Sequence, residues 1–441
     1  MGGSSISTPL DFNKIVEDVE KTLSKYPLCD HCLGRFFAKY GLGLSNRERG
    51  SSLKTMLGFK LYDDYSSKRI GRDSLLALAE NAGEPLTRMV EKLFAENVNP
   101  KTCFICGGRI SDEWLDSVAE AVYEKLKEAS VTRFVVGVKL GRNLREKELQ
   151  LVTETGFTRA ESLKNEIKRE VGKKVMAKYG LVPDFEKPEA TAIVKLDENF
   201  NYRVELVITP VLLKGVYNKR GRNISHVPWL AKQGGRKYPL SIQEYLESRL
   251  ADPFKAKKVK IHAAGREDVD ARTLGPGRPL VIEIVEPLVR SYDIEDVNKL
   301  IRSDLVEVRV HKPASRRDIE LLKQTSREKR KVYRLLVVSS TPISEAQLNE
   351  LEAYFNDIAI QQRTPIRILT RKKDVLRVRK VYEVRTKPVS STSFEALVYC
   401  DGGLYVKELV HCDQGRTNPC FASILNTELK PVELDVLYIE H

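Results

Sequence analysis

The sequence predicts an α+β protein of 441 residues in three consecutive parts, 1–110, 111–210 and 211–441. Three observations lead there. Helix-period sequence fills most of the first part, which carries two cysteine pairs. Helical and strand patterns alternate through the second, and short strand-like runs with a few helices make the third a mixed, largely antiparallel domain. At roughly 150 residues per domain the length supports two or three cores.

Taken in order, apolar spacing places a helix from about Phe12 to Ser24, then the first cysteine pair, then mainly helical sequence to about Glu96. After the second pair come a helix near Glu113 to Ala129, a strand from Arg133 to Leu140, a helix from Arg159 to Tyr179 stopped by Gly180, and strands near Ala190 to Lys195 and Tyr202 to Ile208. In the last helix Leu163, Ile167 and Val171 recur at four-residue spacing, while Lys164, Lys168, Lys173 and Lys174 mark another face, either an RNA contact or a solvated surface. The pattern changes between Thr209 and Leu240. Beyond it strands are expected near 258–263, 280–285, 306–310, 333–339, 378–385 and 394–400, with helices near 295–301 and 344–355.

Charge is concentrated. Lys214 to Lys237 holds seven Lys/Arg and no acid, and Arg363 to Lys387 holds ten against Asp374 and Glu383; removing these 17 basic and 2 acidic residues from 74 and 61 leaves 57 and 59. A near-neutral chain with two basic stretches suits a polyanion, because Lys and Arg release counterions condensed on phosphates; two solvated basic faces are the plainer alternative. The longest apolar runs fall well short of the roughly 20 residues of a membrane span, and Met1 to Ser7 has neither a signal-peptide pattern nor, with Ile6, a myristoylation motif. A cytoplasmic protein with no membrane association is expected, large enough to act as a monomer.

Cys29-Asp30-His31-Cys32 and Cys103-Phe104-Ile105-Cys106 each let a tight turn aim two thiolates at one ion, and together they complete a tetrahedral, structural zinc site; two separate redox pairs fit the same spacing. Cys400, Cys412 and Cys420 lack that spacing and read as packing residues. Gly215 to Trp229, containing Tyr217, Lys219, Arg220 and Arg222, reads as a basic loop with interleaved aromatics, suited to RNA or simply to solvent. Ala264 to Pro279 alternates acids and arginines on a glycine-flanked loop. Arg266, two residues before Asp268, can hold that carboxylate ionised, as a nucleophile requires, although surface ion pairs would look the same. Leu274-Gly275-Pro276-Gly277 lacks the glycine fingerprint of a phosphate loop, and no organic cofactor is signalled.

Gly265-Arg266-Glu267-Asp268 resembles the glycine-arginine-x-aspartate signature of pseudouridine synthases, and Gly403 to Thr417 resembles their glycine-x-tyrosine-isoleucine-lysine/arginine motif. The long loop through Arg272, the cysteine knuckles and the Tyr217-Asn218-Lys219 stretch before Pro228-Trp229 are most similar to the archaeal and eukaryotic Pus-ten family of tRNA pseudouridine synthases, over nearly the whole chain. The resemblance implies a zinc-knuckle and THUMP-like α/β module followed by a pseudouridine synthase domain acting on the tRNA T-arm, at U55 and its neighbour U54. It implies Asp268 as catalytic nucleophile, Tyr333 stacking under the base, Tyr405 as a second substrate contact, Val406 and Lys407 lining the pocket, Lys407 as counter-ion of Asp268, and Arg363, Arg367 and Arg371 in an RNA-clamping stretch. Leu404, Val406 and Cys412 depart from the usual threonine, isoleucine and glycine. Asp270, the rival carboxylate, is expected to order the loop by pairing with Arg272. A THUMP-bearing methyltransferase or thiolase would need a cofactor or ATP loop that the sequence lacks, and a non-catalytic zinc-containing RNA-binding protein leaves the Gly265 loop without a purpose.

Overall fold

A computed structural model describes residues 11–157, 160–230, 234–325, 329–370 and 372–440. It divides into two compact units, Met1–Ile208 and Thr209–His441. The sequence reading puts the change of pattern between Thr209 and Leu240 and divides the chain into three parts, whereas the contacts give two units.

In the first unit come α1 (Phe12–Lys25), α2 (Asp30–Phe36), α3 (Asn46–Ser66), α4 (Arg72–Ala82), α5 (Leu86–Phe94) and α6 (Asp112–Glu128). Then follow β1 (Arg133–Leu140), α7 (Arg142–Thr155), α8 (Leu163–Tyr179), β2 (Val182–Pro183), β3 (Ala190–Leu196) and β4 (Tyr202–Ile208). Asp11, Ser45, Ser111 and Ser162 accept backbone N–H groups at the starts of α1, α3, α6 and α8, which satisfies donors that a helix leaves orphaned. Gly34 of α2 and Gly50 of α3 bring the two backbones together: a Cβ on either would collide with the carbonyl of Asn46 or Asp30. The sheet runs β2-β1-β3-β4, and α6 and α8 pack on it. One hydrophobic core extends from Ile15 to Phe200, so the cysteine-bearing helices and the α/β segment fold around a shared interior. Sequence reasoning missed α7 and began α8 too early; Ser162 caps it, and the expected start Arg159 lies outside the described residues.

The second unit contains β5 (Val211–Lys219), β6 (Ile224–Ser225), β7 (Leu240–Ser241), α9 (Ile242–Phe254), β8 (Lys258–Ala263), β9 (Arg272–Val285), α10 (Ile294–Leu300), β10 (Val306–Pro313) and α11 (Arg316–Thr325). It continues with β11 (Lys331–Ser339), α12 (Glu345–Tyr354), β12 (Ile358–Gln362), β13 (Arg377–Ser390), β14 (Ser393–Cys400), α13 (Val406–His411), β15 (Thr417–Asn418), α14 (Phe421–Leu425) and β16 (Leu429–Ile439). A ten-stranded sheet runs β10-β5-β9-β16-β11-β14-β13-β12-β15, with β8 also on β9. All its pairs are antiparallel except β9 with β16. The mixed, largely antiparallel α+β class is therefore the observed one.

Two expectations are corrected here. The supposed basic loop from Gly215 is strand through Lys219, and Leu274 to Gly277 lies inside β9 rather than in a loop. The second arises because Gly275 takes a positive φ of +69° and lets the Leu437 carbonyl approach closer than any Cβ would allow. No helix among the described residues is long and apolar enough to cross a membrane.

Candidate active site

The segment between β8 and β9 carries Gly265 to Ala271, and its shape is set from beneath. Gly265 starts it at φ +78°, where an added Cβ would press on Arg278 Nη1 at 3.3 Å. Lys219, at the buried end of β5, donates from Nζ to the carbonyls of Ile224 (3.1 Å), Asp268 (3.1 Å) and Val269 (3.0 Å) and lies 3.4 Å from Glu267 Oε1. The Glu267 side chain is buried. Tyr217 Oη donates to its Oε2 at 2.8 Å, Arg278 Nε lies 3.1 Å from it and His226 Nε2 3.3 Å. Burial alone would push the Glu267 carboxyl up, but Arg278, His226 and Lys219 outweigh it and hold it well below the usual carboxylate range. Arg222 closes the far side, donating to the Asp270 carbonyl at 2.8 Å and to Asp435 at 3.0 Å.

Tyr217 and Lys219, expected to meet RNA from a loop, therefore have no accessible surface and serve as internal supports of this segment. Arg222 is likewise engaged in structure. Arg220 remains on the surface, paired with Glu307 at 2.6 Å.

Above this base the Asp268 carboxylate is half-buried. Arg367, from the basic stretch after β12, lies 3.1 Å from its Oδ2 and donates to Oδ1 at 3.2 Å, while Lys407 Nζ is 3.5 Å away. The side chain of Arg367 is itself anchored by Glu408, buried on α13, whose Oε1 accepts from Arg367 Nε at 2.6 Å. Lys407 is closer to Asp270, at 2.7 and 2.8 Å, than to Asp268. Two expected pairings thus change: the nearest cation to Asp268 is Arg367 rather than Lys407, and Asp270 pairs with Lys407 because Arg272 is held by Asp435 at 2.7 and 2.8 Å. Arg266 is exposed and makes no ion pair with the described residues.

A cavity of about 340 Å³ opens beside Asp268, walled by Arg266, Arg278, Lys331, Tyr333, Leu404, Tyr405, Val406 and Lys407. Tyr333 rises from β11. Burial pushes its hydroxyl well up, so it stays a neutral phenol. Tyr405 caps α13, held by Gln362, whose Oε1 accepts its backbone N–H at 2.8 Å and whose Nε2 donates to its carbonyl at 3.0 Å. Lys331 had no part in the sequence reading. It is 7% exposed, and burial together with the neighbouring Arg278 pushes its ammonium down to about 8. The ammonium makes no hydrogen bond or ion pair with the described residues. Arg363 is exposed and lies 3.6 Å from Asp374; Arg371 falls outside the described residues.

Comparison with known proteins bears directly on this arrangement. Residues 212–440 match the family described as "Pus10, C-terminal", and residues 118–195 the archaeal Pus10 THUMP domain. The tRNA pseudouridine synthase Pus10 of Ignisphaera aggregans is 39% identical over 429 residues, 96% of this chain and 99% of that protein. The chain belongs to the Pus10 family. The Aeropyrum pernix Pus10 is 37% identical over 437 residues, covering 97% of this chain and 98% of its own, and that of Methanocaldococcus jannaschii 36% over 436 residues, covering 95% and 93%.

In the THUMP-bearing unit of this Pus10-family chain, Cys29, Cys32, Cys103 and Cys106 come together, their sulfurs all within 4.8 Å of one another and the Cys29–Cys106 pair at 3.5 Å. A tetrahedral site with metal–sulfur bonds of about 2.3 Å has sulfurs about 3.8 Å apart, so the four fit one metal ion with no position left open. Hydrogen bonding to the Cys103, Cys106 and Cys29 sulfurs, followed by burial, pushes the Cys32 thiol well up, a cost that a bound cation removes. Arg35, with no exposed surface, lies 4.0 Å from Cys32 Sγ and pairs with Glu148. Cys412 and Cys420, read as packing residues, instead form a disulfide across the turn after α13. Cys400 does pack, buried, its thiol pushed up to about 12.

Arg367, Glu408, Glu267 and Lys331 are the site residues whose roles sequence reasoning missed. Arg367, Glu408 and Glu267 act through partners far away in the chain and Lys331 is placed by the buried start of β11, so no local spacing marks them; only the position of Glu408, next to the motif lysine, hinted at a site.

Proposed function

We propose that this chain isomerises uridine to pseudouridine in the T-loop of tRNA, at U55 and U54, with Asp268 as nucleophile, acting as a cytoplasmic monomer. The observation that carries the reading is the placement of Asp268: a half-buried carboxylate, held at the backbone by Lys219, facing two cations and opening onto a cavity walled by two tyrosines.

The reaction breaks the bond between ribose C1′ and uracil N1 and forms one between C1′ and C5; C5 loses a proton and N1 gains one, so nothing is added or removed. It needs a base extruded from its stack, at a cost of a few kcal/mol that aromatic stacking at ~1–3 kcal/mol per base offsets. Tyr333 and Tyr405 offer those faces, Val406 closes the apolar side, and Lys407 and Arg367 lie beside the carboxylate that attacks the nucleotide. The four cysteines are assigned to a structural zinc ion, remote from this chemistry in role.

Asp268→Asn should bind a tRNA transcript as the wild type does and form no pseudouridine, read by carbodiimide treatment and primer extension. New stops in the T-loop with the Asn variant would reject Asp268 as nucleophile, and stops elsewhere with the wild type would reject the T-loop.

A further inference from the structure

The Asp268 loop is faced by cavities on two sides. Besides the pocket under Tyr333, a second cavity of about 580 Å³ is lined by His226, Val227, Pro228, Trp229 and Tyr238 and by the loop itself. The two share one wall: Arg266, Glu267, Asp268, Arg367, Lys372 and Lys407 belong to both. Neither the reaction nor the uridine pocket uses the second space.

Its chemistry is that of a nucleotide site. Trp229 and Tyr238 are half-buried, their ring centroids 5.5 Å apart and tilted by 58°, and Lys237 Nζ lies 5.0 and 5.7 Å from the two centroids. The pair is held by the Lys237 N–H donating to the Trp229 carbonyl at 2.8 Å. Aromatic faces beside unpaired cations are how proteins hold unstacked bases. On the shared wall, Arg367 and Lys407 are occupied by acids, whereas Arg266 and Lys372 are exposed and have no acidic partner among the described residues.

We propose that the second cavity is a nucleotide subsite that seats the base adjoining the target uridine against Trp229 and Tyr238, with the joining phosphate over Arg266 and Lys372. Two cavities that share these six lining residues lie side by side, as two consecutive nucleotides joined by one phosphate require. The proposal rests on the smaller cavity being the uridine pocket.

The test uses the full chain carrying Asp268→Asn and two tRNA transcripts with 2-aminopurine immediately 5′ or 3′ of the target. One of them should lose fluorescence severalfold on saturation. A Trp229→Ala/Tyr238→Ala double variant should abolish that quench and weaken binding about tenfold, the loss expected for a base stack. Trp229→Phe, which keeps a ring in place, should retain the quench and guards against a merely misfolded loop. No quench with either transcript, or a quench that survives in the double variant, overturns the subsite. Product formed by the wild type on unlabelled tRNA without any quench rejects the subsite alone; a quench without product keeps the subsite and rejects the proposed reaction.

Discussion

Lys331→Met isolates a charge that the fold tolerates at a cost. Lys331 is 7% exposed, lines the cavity beside Asp268, has no ion-pair partner among the described residues, and its ammonium is pushed down to about 8 by burial and by Arg278, from 10.5 for a free lysine. The sign follows from proton counts. Below about pH 8 both folded and unfolded chains carry the proton, and the whole penalty for holding the charge in the fold is present. Between about 8 and 10.5 the folded state sheds its proton first, the unfolded chain binds more protons, and stability rises with pH. A pKa lower by roughly 2.5, at about 1.4 kcal/mol for each whole step, sets the penalty at about 3.5 kcal/mol. Methionine keeps the aliphatic stem and removes the charge, so the variant should be more stable than the wild type at pH 7 by up to that amount, with the gap closing towards pH 10.5. Urea titrations followed by Trp229 emission, in a Trp114→Phe background that leaves one reporter, measure it. A variant that is less stable at pH 7, or a gap independent of pH, would refute the reasoning. The same variant should lose about 10- to 100-fold in kcat/KM if the ammonium meets a uracil carbonyl, as for loss of a charged hydrogen bond of roughly 1.5–3 kcal/mol.

Other expectations follow from the same contacts. Lys219→Met leaves the buried Glu267 with less compensation and takes the ammonium donor from three carbonyls; it should destabilise the second unit by about 3–5 kcal/mol, and a urea midpoint within error of wild type would count against the network. Arg367→Gln removes the nearest cation to Asp268 and leaves Glu408 buried alone; the single-turnover rate should fall about 10- to 100-fold with tRNA affinity changed far less, and an unchanged rate would show that Arg367 only contacts RNA. Native mass spectrometry should find one zinc ion per chain, whose removal by a chelator lowers the melting temperature of the first unit; a metal-free native mass would end the four-cysteine assignment.

Where one face of an element is buried, its pattern was legible. The bounds of strands Arg133–Leu140, Tyr202–Ile208 and Lys258–Ala263 agree with the sequence reading, and in Arg133–Leu140 the burial alternates at period two, which leaves little freedom in register. The four cysteines were legible for the same kind of reason, since ligand spacing is local. Lys219 is hard to place from sequence because a lysine ordinarily signals water, and its burial is made tolerable by carbonyls of two other segments and by the Glu267 carboxylate. Arg266 looked like the partner of Asp268 from two residues away, yet Arg367, 99 positions along, takes that place. Glycines and Pro276 disguised the first half of β9 as a turn, and β16, its parallel neighbour, went unread because Pro431 and alternating acids interrupt its apolar run.

Lys219 grips the Asp268 and Val269 segment through main-chain oxygens alone. Such a grip is blind to side-chain identity. An amide, an alanine or a reactive analogue placed at position 268 keeps that grip on the loop, so, with Asp268 as the proposed nucleophile, such variants should hold RNA on a loop shaped as in the wild type and make good baits for trapping its complexes.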